Sequence, residues 1–226
     1  MRETAPAAEE RRIAATVHGT YLLVPAPAGA PRAALVGFHG YGETAADHLA
    51  ALRRIPGSER WLLVAVQALH PFYRKDGTVV ASWMTRFDRE AAIGDNTRYA
   101  AAVLGELAGE FPTVSRWGLA GFSQGVAMAY RAAVGSPHPI QALVALAGDV
   151  PPDVAGAEAP LPAVLVGRGD RDGWYSDEKL VADLEVLAGR GVVADSHVFA
   201  GGHEWGEDFL RRAGEFLARH LEPDAG

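Results

Sequence analysis

One serine of the chain has the surroundings that a nucleophile needs. It lies in the segment Gly121-Phe122-Ser123-Gln124-Gly125, between an apolar run that predicts a buried strand and a small-residue run that predicts a helix. A sharp strand-to-helix turn exposes the serine hydroxyl, and only small residues fit two positions before and after it. The pattern therefore indicates a nucleophilic Ser123, against the alternative that the segment is only a glycine-rich turn.

A serine hydroxyl is a weak nucleophile and needs a positioned base. Three histidines lie late in the chain: His197, His203 and His220. His203 follows two glycines just past the last predicted strand, and catalytic groups of open α/β sheets gather at the carboxyl ends of strands. His197 lies inside the strand pattern. His220 lies at the end of the last predicted helix, where a histidine interacts favourably with the helix dipole. We therefore expect His203 to be the base.

The supporting acid should follow an earlier strand, because in such sheets the three groups come in the order Ser, Asp or Glu, His. Asp170 and Asp172 both follow the apolar run 163–167, and Asp149 follows the run before it. The acid must hydrogen-bond the histidine, which holds the ring in one tautomer and stabilises its charged form. The pattern alone leaves all three aspartates as candidates, and the others would be turn residues.

A second glycine-rich turn could bind the negative charge that develops on a substrate oxygen. Gly40-Tyr41-Gly42 follows an early apolar run and precedes a predicted helix, and glycines let the backbone approach a ligand closely. We expect the backbone N–H groups of Tyr41 and Gln124 to form an oxyanion hole. His39, directly before the turn, is expected to orient the loop and not to act as a second base.

The elements that must position these residues alternate from residue 32 onward. This alternation predicts a mainly parallel sheet with helices on both faces. The predicted strands are Thr16–Val24, at the sheet edge, and Ala33–Phe38, Trp61–Val66, Trp117–Gly121, Ala142–Ala147, Ala163–Gly167 and Val192–Phe199. The predicted helices are Ala45–Arg54, Asn96–Glu110 behind a cap at Asp95, Ser123–Val134, Glu178–Ala188 behind a cap at Ser176 or Asp177, and Glu207–Leu221. Residues 68–95 break the alternation, which predicts a functional segment or an insertion.

Length and composition bound the remaining possibilities. The chain has 226 residues, 49% of them hydrophobic, which is enough for one compact domain. We expect a single domain over residues 13–226, preceded by a flexible segment over residues 1–12. The net charge of −7, without a dense block of Lys and Arg, gives no support for a nucleic-acid partner. The chain has no cysteine, which excludes a cysteine nucleophile, disulfides and thiolate metal sites.

The sequence also bears on whether the protein binds a metal and where in the cell it resides. The chain has no His-x-x-x-His motif and no clustered Asp and His residues, so we do not expect a metal site. The N-terminus lacks the apolar core of a signal peptide, and no apolar run approaches the roughly 20 residues of a membrane span. We therefore expect a cytoplasmic protein without a membrane span, either a monomer or a homodimer.

Several large side chains lie in or beside the candidate catalytic segments. They are Phe72, Trp83, Met84, Trp174, Tyr175 and Trp205. Any one of them alone would be expected in the core, but as a group they are expected to include the walls of an apolar acyl pocket. The chain has no room for a separate cap domain, so this pocket should be shallow and favour short to medium acyl chains.

Together these residues resemble the phospholipase/carboxylesterase family of small serine esterases, which contains the acyl-protein thioesterases. The resemblance covers about residues 32–220. It rests on His39-Gly40-Tyr41-Gly42-Glu43, Gly121-Phe122-Ser123-Gln124-Gly125, Asp172 and Gly202-His203. It implies an α/β-hydrolase fold without a large cap domain, and a cofactor-free enzyme that cleaves small-molecule carboxylic esters, or thioesters, through an acyl-enzyme intermediate.

The resemblance also bears on the acid. In the family the acid ends a Gly-x-x-Asp pattern, which Gly169-Asp170-Arg171-Asp172 matches, and this favours Asp172. The next residues differ from the family's Asp-x-x-Val-Pro, and the segment 82–86 is more similar to a bacterial esterase branch than to the eukaryotic thioesterases. A protein-depalmitoylating role is therefore not expected. The alternatives are a lyase, perhydrolase or acyltransferase with the same three residues, or a non-catalytic binding protein.

Overall fold

The computed structural model describes residues 8–26, 31–192 and 194–222. The strands in these ranges are Tyr21–Val24 (β1), Ala33–Phe38 (β2), Leu62–Val66 (β3), His70–Tyr73 (β4), Val79–Ser82 (β5), Arg116–Phe122 (β6), Ala142–Leu146 (β7), Ala163–Gly169 (β8) and Ala194–Phe199 (β9). The α-helices are Ala45–Arg53 (α1), Arg89–Glu110 (α2), Gln124–Gly135 (α3), Pro152–Ala155 (α4), Asp177–Gly189 (α5) and Glu207–Leu221 (α6), with a 3₁₀ turn at Ser58–Arg60.

The central sheet has the strand order β1-β3-β2-β6-β7-β8-β9. Its neighbours are parallel except for β1, which pairs with β3 in the antiparallel sense at one edge. Every residue of β2, β3 and β7 is buried, which is why these strands are continuous apolar runs in the sequence. The predicted α/β-hydrolase architecture, with a mostly parallel sheet and no large cap, is confirmed.

Two glycines of β6 show how helices cover both faces of the sheet. Gly118 and Gly121 are three positions apart, an odd offset, so they face opposite sides of the sheet. A Cβ on Gly118 would lie 3.0 Å from Leu221 in α6, and a Cβ on Gly121 would lie 2.6 Å from Val126 in α3. Helices α6 and α3 therefore pack on opposite faces, and α3 approaches so closely that β6 has no room there for a side chain.

The segment 68–95 differs most from the sequence prediction. It contains the antiparallel hairpin β4–β5 and the first turns of α2. The predicted cap at Asp95 is wrong, because α2 begins at Arg89 and Asp95 lies inside the helix. Asp88 precedes the helix in the left-handed region (φ 46°) and its side chain makes no capping bond. Ser176, in contrast, does cap α5, since its hydroxyl accepts a hydrogen bond from the Lys179 N–H.

The N-terminal part of the described chain is exposed. Residues 8–20 have no helix or strand, so the edge strand is shorter than the predicted range 16–24. The predicted flexible segment 1–12 falls partly on residues 1–7, which lie outside the described residues. Among the helices that the structure describes, none combines the length and the apolar character needed to cross a membrane.

Candidate active site

Ser123 sits in a strained turn between β6 and α3. Its backbone has φ 51° and ψ −120°, a conformation that residues with a side chain rarely adopt and that costs free energy. The Ser123 N–H donates to the Leu146 carbonyl at the end of the neighbouring strand β7, with an N···O distance of 2.9 Å. The turn thus places the serine at the carboxyl edge of the sheet, as expected for a nucleophile elbow.

The glycine at the second position after the serine is required by packing. A Cβ on Gly125 would lie 2.0 Å from the carbonyl oxygen of Phe38, the last residue of β2, and 2.6 Å from that of His39. Because real Cβ atoms do not approach carbonyl oxygens this closely, only glycine fits here. The contact brings the loop after β2, which contains Tyr41, next to the first turn of α3.

His203 and Asp172 are hydrogen-bonded. The distance from His203 Nδ1 to Asp172 Oδ2 is 2.8 Å, and the side chain of Asp172 is 0% exposed. The other carboxylate oxygen, Oδ1, accepts the N–H groups of Trp174 at 2.8 Å and Tyr175 at 3.0 Å. Burial acts to raise the pKa of Asp172, but the two N–H groups and the His203 ring outweigh it and hold that pKa below its ordinary value.

The two other candidate acids have different contacts. Asp170 Oδ1 accepts the N–H of Gly201 at 2.9 Å, which ties the loop after β8 to the loop that carries His203. Asp149 forms an ion pair with Lys179 at 3.0 Å. Among the described residues, Asp172 is therefore the aspartate whose carboxylate reaches His203.

Ser123 and His203 line the same cavity, which has a volume of about 690 Å³. The hydrogen bonds of the described residues do not include one from the Ser123 hydroxyl to His203. Such contacts are often long in a free enzyme and tighten when substrate binds. The cavity therefore joins the nucleophile and the base in one space that a substrate can enter.

His39 fixes the turn that precedes Tyr41. Its ring is buried, and Nε2 accepts the Ala68 N–H at 3.1 Å while Nδ1 lies 2.7 Å from the Gly40 carbonyl. Since Nε2 accepts, the ring proton belongs on Nδ1. Burial lowers the pKa of His39, so the ring is neutral and both nitrogens are occupied. These contacts agree with the orienting role expected for His39.

The backbone N–H groups of the two expected oxyanion donors have no hydrogen-bond partner among the described residues. Gln124 is the first residue of α3, so its backbone N–H has no acceptor within the helix. The Tyr41 N–H, in the turn after β2, has no partner in the described part of the chain. The turn itself is held by Glu43, whose Oε2 accepts the Gly40 N–H at 2.7 Å, and burial raises the pKa of this carboxyl group.

The side chain of Gln124 has a structural role that the sequence did not reveal. Its Oε1 accepts the Trp83 N–H at 2.9 Å, and its Nε2 donates to the Met84 carbonyl at 2.9 Å. The buried Asn96 donates to the Trp83 carbonyl at 2.8 Å, and the Trp83 indole N–H donates to the His39 carbonyl at 2.7 Å. One network therefore joins the elbow, the end of the β4–β5 hairpin and the oxyanion loop.

The six residues expected in the pocket occupy four different places. Met84, Trp174 and Tyr175 line the cavity with Ser123. Trp205 lines a second cavity of about 380 Å³, on the other side of His203. Trp83 is fully buried in the core, and Phe72 stacks on the Tyr41 ring outside the cavity, with a ring separation of 5.3 Å.

The wall of the larger cavity is more charged than the sequence suggested. Besides apolar groups it includes Arg86, Arg89, Arg131, Asp149, Lys179 and Asp183. These residues come from separate segments, so no sequence motif joins them. Asp183 is buried and accepts the Tyr175 hydroxyl at 2.7 Å and the Val150 N–H at 3.1 Å. Burial raises the pKa of Asp183 to about 6.

The described residues offer no group of three or more His, Asp or Glu side chains placed to hold a metal ion. The catalytic candidates His203 and Asp172 instead pair with each other, and Asp172 also accepts two backbone N–H groups. This arrangement can carry out acid–base and nucleophilic chemistry with side chains alone.

Comparisons with known proteins bear on the family and the fold of the chain. The profile of the phospholipase/carboxylesterase family matches residues 20–220. Esterase PE8, whose crystal structure is known, is 28% identical, with 91% of this chain and 100% of that chain covered and a TM-score of 0.75. No curated protein matches the chain.

Two more distant structures share the fold. A carboxylesterase from Mesorhizobium loti is 22% identical, over 89% of this chain and 95% of that chain, with a TM-score of 0.74. SOBER1 of Arabidopsis thaliana is 20% identical, over 84% of this chain and 100% of that chain, with a TM-score of 0.70. In all three comparisons the chain spans nearly the whole of the other protein.

Proposed function

The chain belongs to the phospholipase/carboxylesterase family and is a carboxylesterase-type hydrolase, and on this premise we propose that Ser123, His203 and Asp172 cleave carboxylic esters through an acyl-enzyme intermediate. The observation that carries the proposal is the 2.8 Å bond between Asp172 and His203 at the cavity that Ser123 also lines. The strained serine turn and the free N–H groups beside it supply the other parts that acyl transfer requires.

In the first half of the reaction, the Ser123 oxygen attacks the ester carbonyl carbon while His203 Nε2 takes the hydroxyl proton. The carbonyl oxygen becomes negative and is bound by the Tyr41 and Gln124 N–H groups. The carbon–oxygen bond to the alcohol then breaks, and His203 gives the proton to the departing oxygen. The acyl group remains bonded to Ser123.

In the second half, a water molecule replaces the alcohol. His203 takes a proton from the water as its oxygen attacks the acyl carbon, and the same proton returns to the Ser123 oxygen as that bond breaks. Asp172 stays ionised throughout and stabilises the charged form of His203. Its lowered pKa is consistent with this role.

The preferred acyl groups are short to medium in length. The cavity of about 690 Å³ is open, and Met84, Trp174 and Val150 supply apolar surface beside Ser123. Each methylene that reaches such a wall contributes about 0.8 kcal/mol, so specificity rises only while added carbons still find protein. The specificity constant should therefore level off along a series of nitrophenyl esters from acetate to palmitate, and thioesters of the same acids fit the same site.

The decisive experiment is labelling with a fluorophosphonate probe, followed by peptide mass spectrometry. The probe should modify Ser123, and Ser123→Ala should lose both the label and several orders of magnitude in turnover. Ser115→Ala, which changes an exposed serine away from the cavity, serves as the matched control and should retain both. An active Ser123→Ala variant, or a label on a different serine, would refute the proposal.

A further inference from the structure

The cavity that contains Ser123 carries the opposite charge from the rest of the chain. Four cationic side chains line it, against two carboxylates, although the chain as a whole has a net charge of −7. The cations are Arg86, Arg89, Arg131 and Lys179, and the carboxylates are Asp149 and Asp183. A cleft of one sign concentrates ligands of the other sign.

Two of the four cations already have partners. Lys179 pairs with Asp149 at 3.0 Å, and Arg131 makes a two-pronged contact with Asp153, at 2.8 Å through Nε and 2.7 Å through Nη2. Arg86 and Arg89 have no ion-pair partner within the described part of the chain. The surplus positive charge of the cavity therefore comes from these two arginines.

Arg131 has one more unused donor. Its side chain is 3% exposed, and the buried Nη1 has no hydrogen-bond partner among the described residues. A buried donor without an acceptor costs free energy. Because Arg131 also lines the cavity, its charge adds to the positive potential there.

Arg131 lies farther along α3 than Ser123, where the reacting carbonyl carbon would be bound. Ser123 directly precedes α3, Ala127 and Arg131 lie four residues apart within it, and all three line the cavity. Eight residues of helix span about 12 Å, and a helical side chain leans back toward the N-terminus. Arg131 therefore lines a part of the cavity about two helical turns from the serine.

Arg89 lies at the same end of the cavity. It is the first residue of α2, where the helix dipole adds further positive potential. The pKa of Asp153 lies below its ordinary value, through its contact with Arg131 and, more weakly, through the charge of Arg89. Arg89 and Arg131 therefore act on one region of the cavity.

The second cavity differs in charge and in its relation to the catalytic groups. It shares His203 but not Ser123, and its wall includes three carboxylates, Glu43, Asp47 and Glu204, against one cation, Arg54. Because His203 protonates the departing alcohol, this side suits the alcohol, and its carboxylates disfavour an anionic one. The acyl group, which stays bonded to Ser123, remains in the larger, cationic cavity.

We propose that the preferred substrates are monoesters of short dicarboxylic acids, whose free carboxylate is bound by Arg86 and Arg89 in the positive potential to which the buried Arg131 contributes. This inference rests on the proposed esterase function and adds the chemistry of the acyl group. The planar guanidinium group matches a carboxylate in geometry. The ester carbonyl lies at Ser123, the alcohol points toward the second cavity, and the carboxylate lies along α3.

The kinetic test compares monoethyl adipate with the ethyl ester of adipamic acid, which has the same shape and a neutral amide in place of the carboxylate. The ratio of their kcat/KM values should favour the anionic ester by about tenfold, the effect expected from two partly exposed charge pairs. In the double variant Arg86→Gln/Arg89→Gln this preference should disappear. The matched control is Arg98→Gln, an exposed arginine of α2 outside the cavity, which should keep the full preference.

A binding measurement on an inactive variant tests this inference independently of the proposed esterase activity. Calorimetric titration of the inactive Ser123→Ala variant with both esters measures affinity without turnover. Tighter binding of monoethyl adipate than of the amide supports the inference if the difference is lost when Arg86→Gln and Arg89→Gln are added to Ser123→Ala. This holds even if the native protein cleaves neither ester. Such a lack of cleavage would refute the esterase proposal but not the inference about the binding of the carboxylate. Equal affinity for the two esters, or tighter binding of the amide, would overturn the inference.

Discussion

Asp172→Asn should inactivate the enzyme through the orientation of one side chain. Asp172 Oδ1 accepts the Trp174 and Tyr175 N–H groups, and Oδ2 faces Nδ1 of His203. The single oxygen of asparagine satisfies the two N–H groups only if its NH₂ group faces His203. Nδ1 must then accept and Nε2 must carry the proton, which leaves Nε2 unable to take a proton from Ser123. The opposite orientation leaves two buried N–H groups facing an NH₂ group.

The size of the effect follows from the burial of the carboxylate. The Asp172 side chain is 0% exposed, so no water can replace the lost negative charge beside a protonated His203. Loss of both the correct tautomer and the counter-charge in a serine triad costs about 10⁴-fold in turnover, which corresponds to about 5 kcal/mol of transition-state stabilisation. Because the carboxylate acts through His203, the loss should fall on kcat and leave KM nearly unchanged.

The assay is steady-state hydrolysis of nitrophenyl butyrate by four proteins at one pH. Asp170→Asn and Asp149→Asn are the matched controls, since both side chains are about half exposed, and each should stay within about threefold of the native enzyme. Thermal unfolding checks that all four fold. An active Asp172→Asn variant together with an inactive Asp170→Asn variant would show that the acid has been assigned to the wrong aspartate.

Three further outcomes are expected. Gly125→Ala would place a Cβ 2.0 Å from the Phe38 carbonyl and should lower the free energy of unfolding in urea by about 3 kcal/mol, whereas Gly109→Ala, in an open part of α2, should raise it by about 0.5 kcal/mol. Because burial raises the pKa of Asp183 to about 6, the folded chain holds this proton more tightly than the unfolded chain. Stability should therefore fall by about 3 kcal/mol as the pH rises from about 4 to about 6, and Asp183→Asn should remove this part of the slope. Trp83→Phe removes the indole donor that holds the oxyanion loop and should lower kcat about tenfold with KM nearly unchanged. A KM that changes by as large a factor as kcat would contradict this positioning role.

The sequence predicted best the elements whose pattern follows directly from burial. Strand β2 and helix α6 have the predicted limits, because β2 is buried on both faces and α6 has one apolar face and one charged face. The hairpin β4–β5 was missed because its first strand is mostly exposed and carries polar residues. The start of α2 was placed too late, since Arg89 opposes the helix dipole there and Asp88 makes no capping bond.

One part of the candidate site could be predicted from the sequence and another part could not. Ser123, Asp172 and His203 each follow a strand of the parallel sheet, so the order of elements along the chain was enough to bring them to one edge. The charges of the cavity could not be predicted, because Arg89 and Arg131 belong to different helices, and the packing of α2 on α3 brings both to one cavity.

The side-chain contacts of Gln124 limit how this enzyme could be redesigned. A designer who exchanges the segment after β5 to change substrate preference would treat it as an independent loop. The Trp83 N–H and the Met84 carbonyl are, however, bound by the residue that follows the nucleophile. A transplanted segment that does not reproduce both contacts would leave Gln124 unpaired beside the elbow. Altered selectivity would then come at the expense of turnover for every substrate, so library designs should vary Met84 and Arg86 while they keep the backbone path between them.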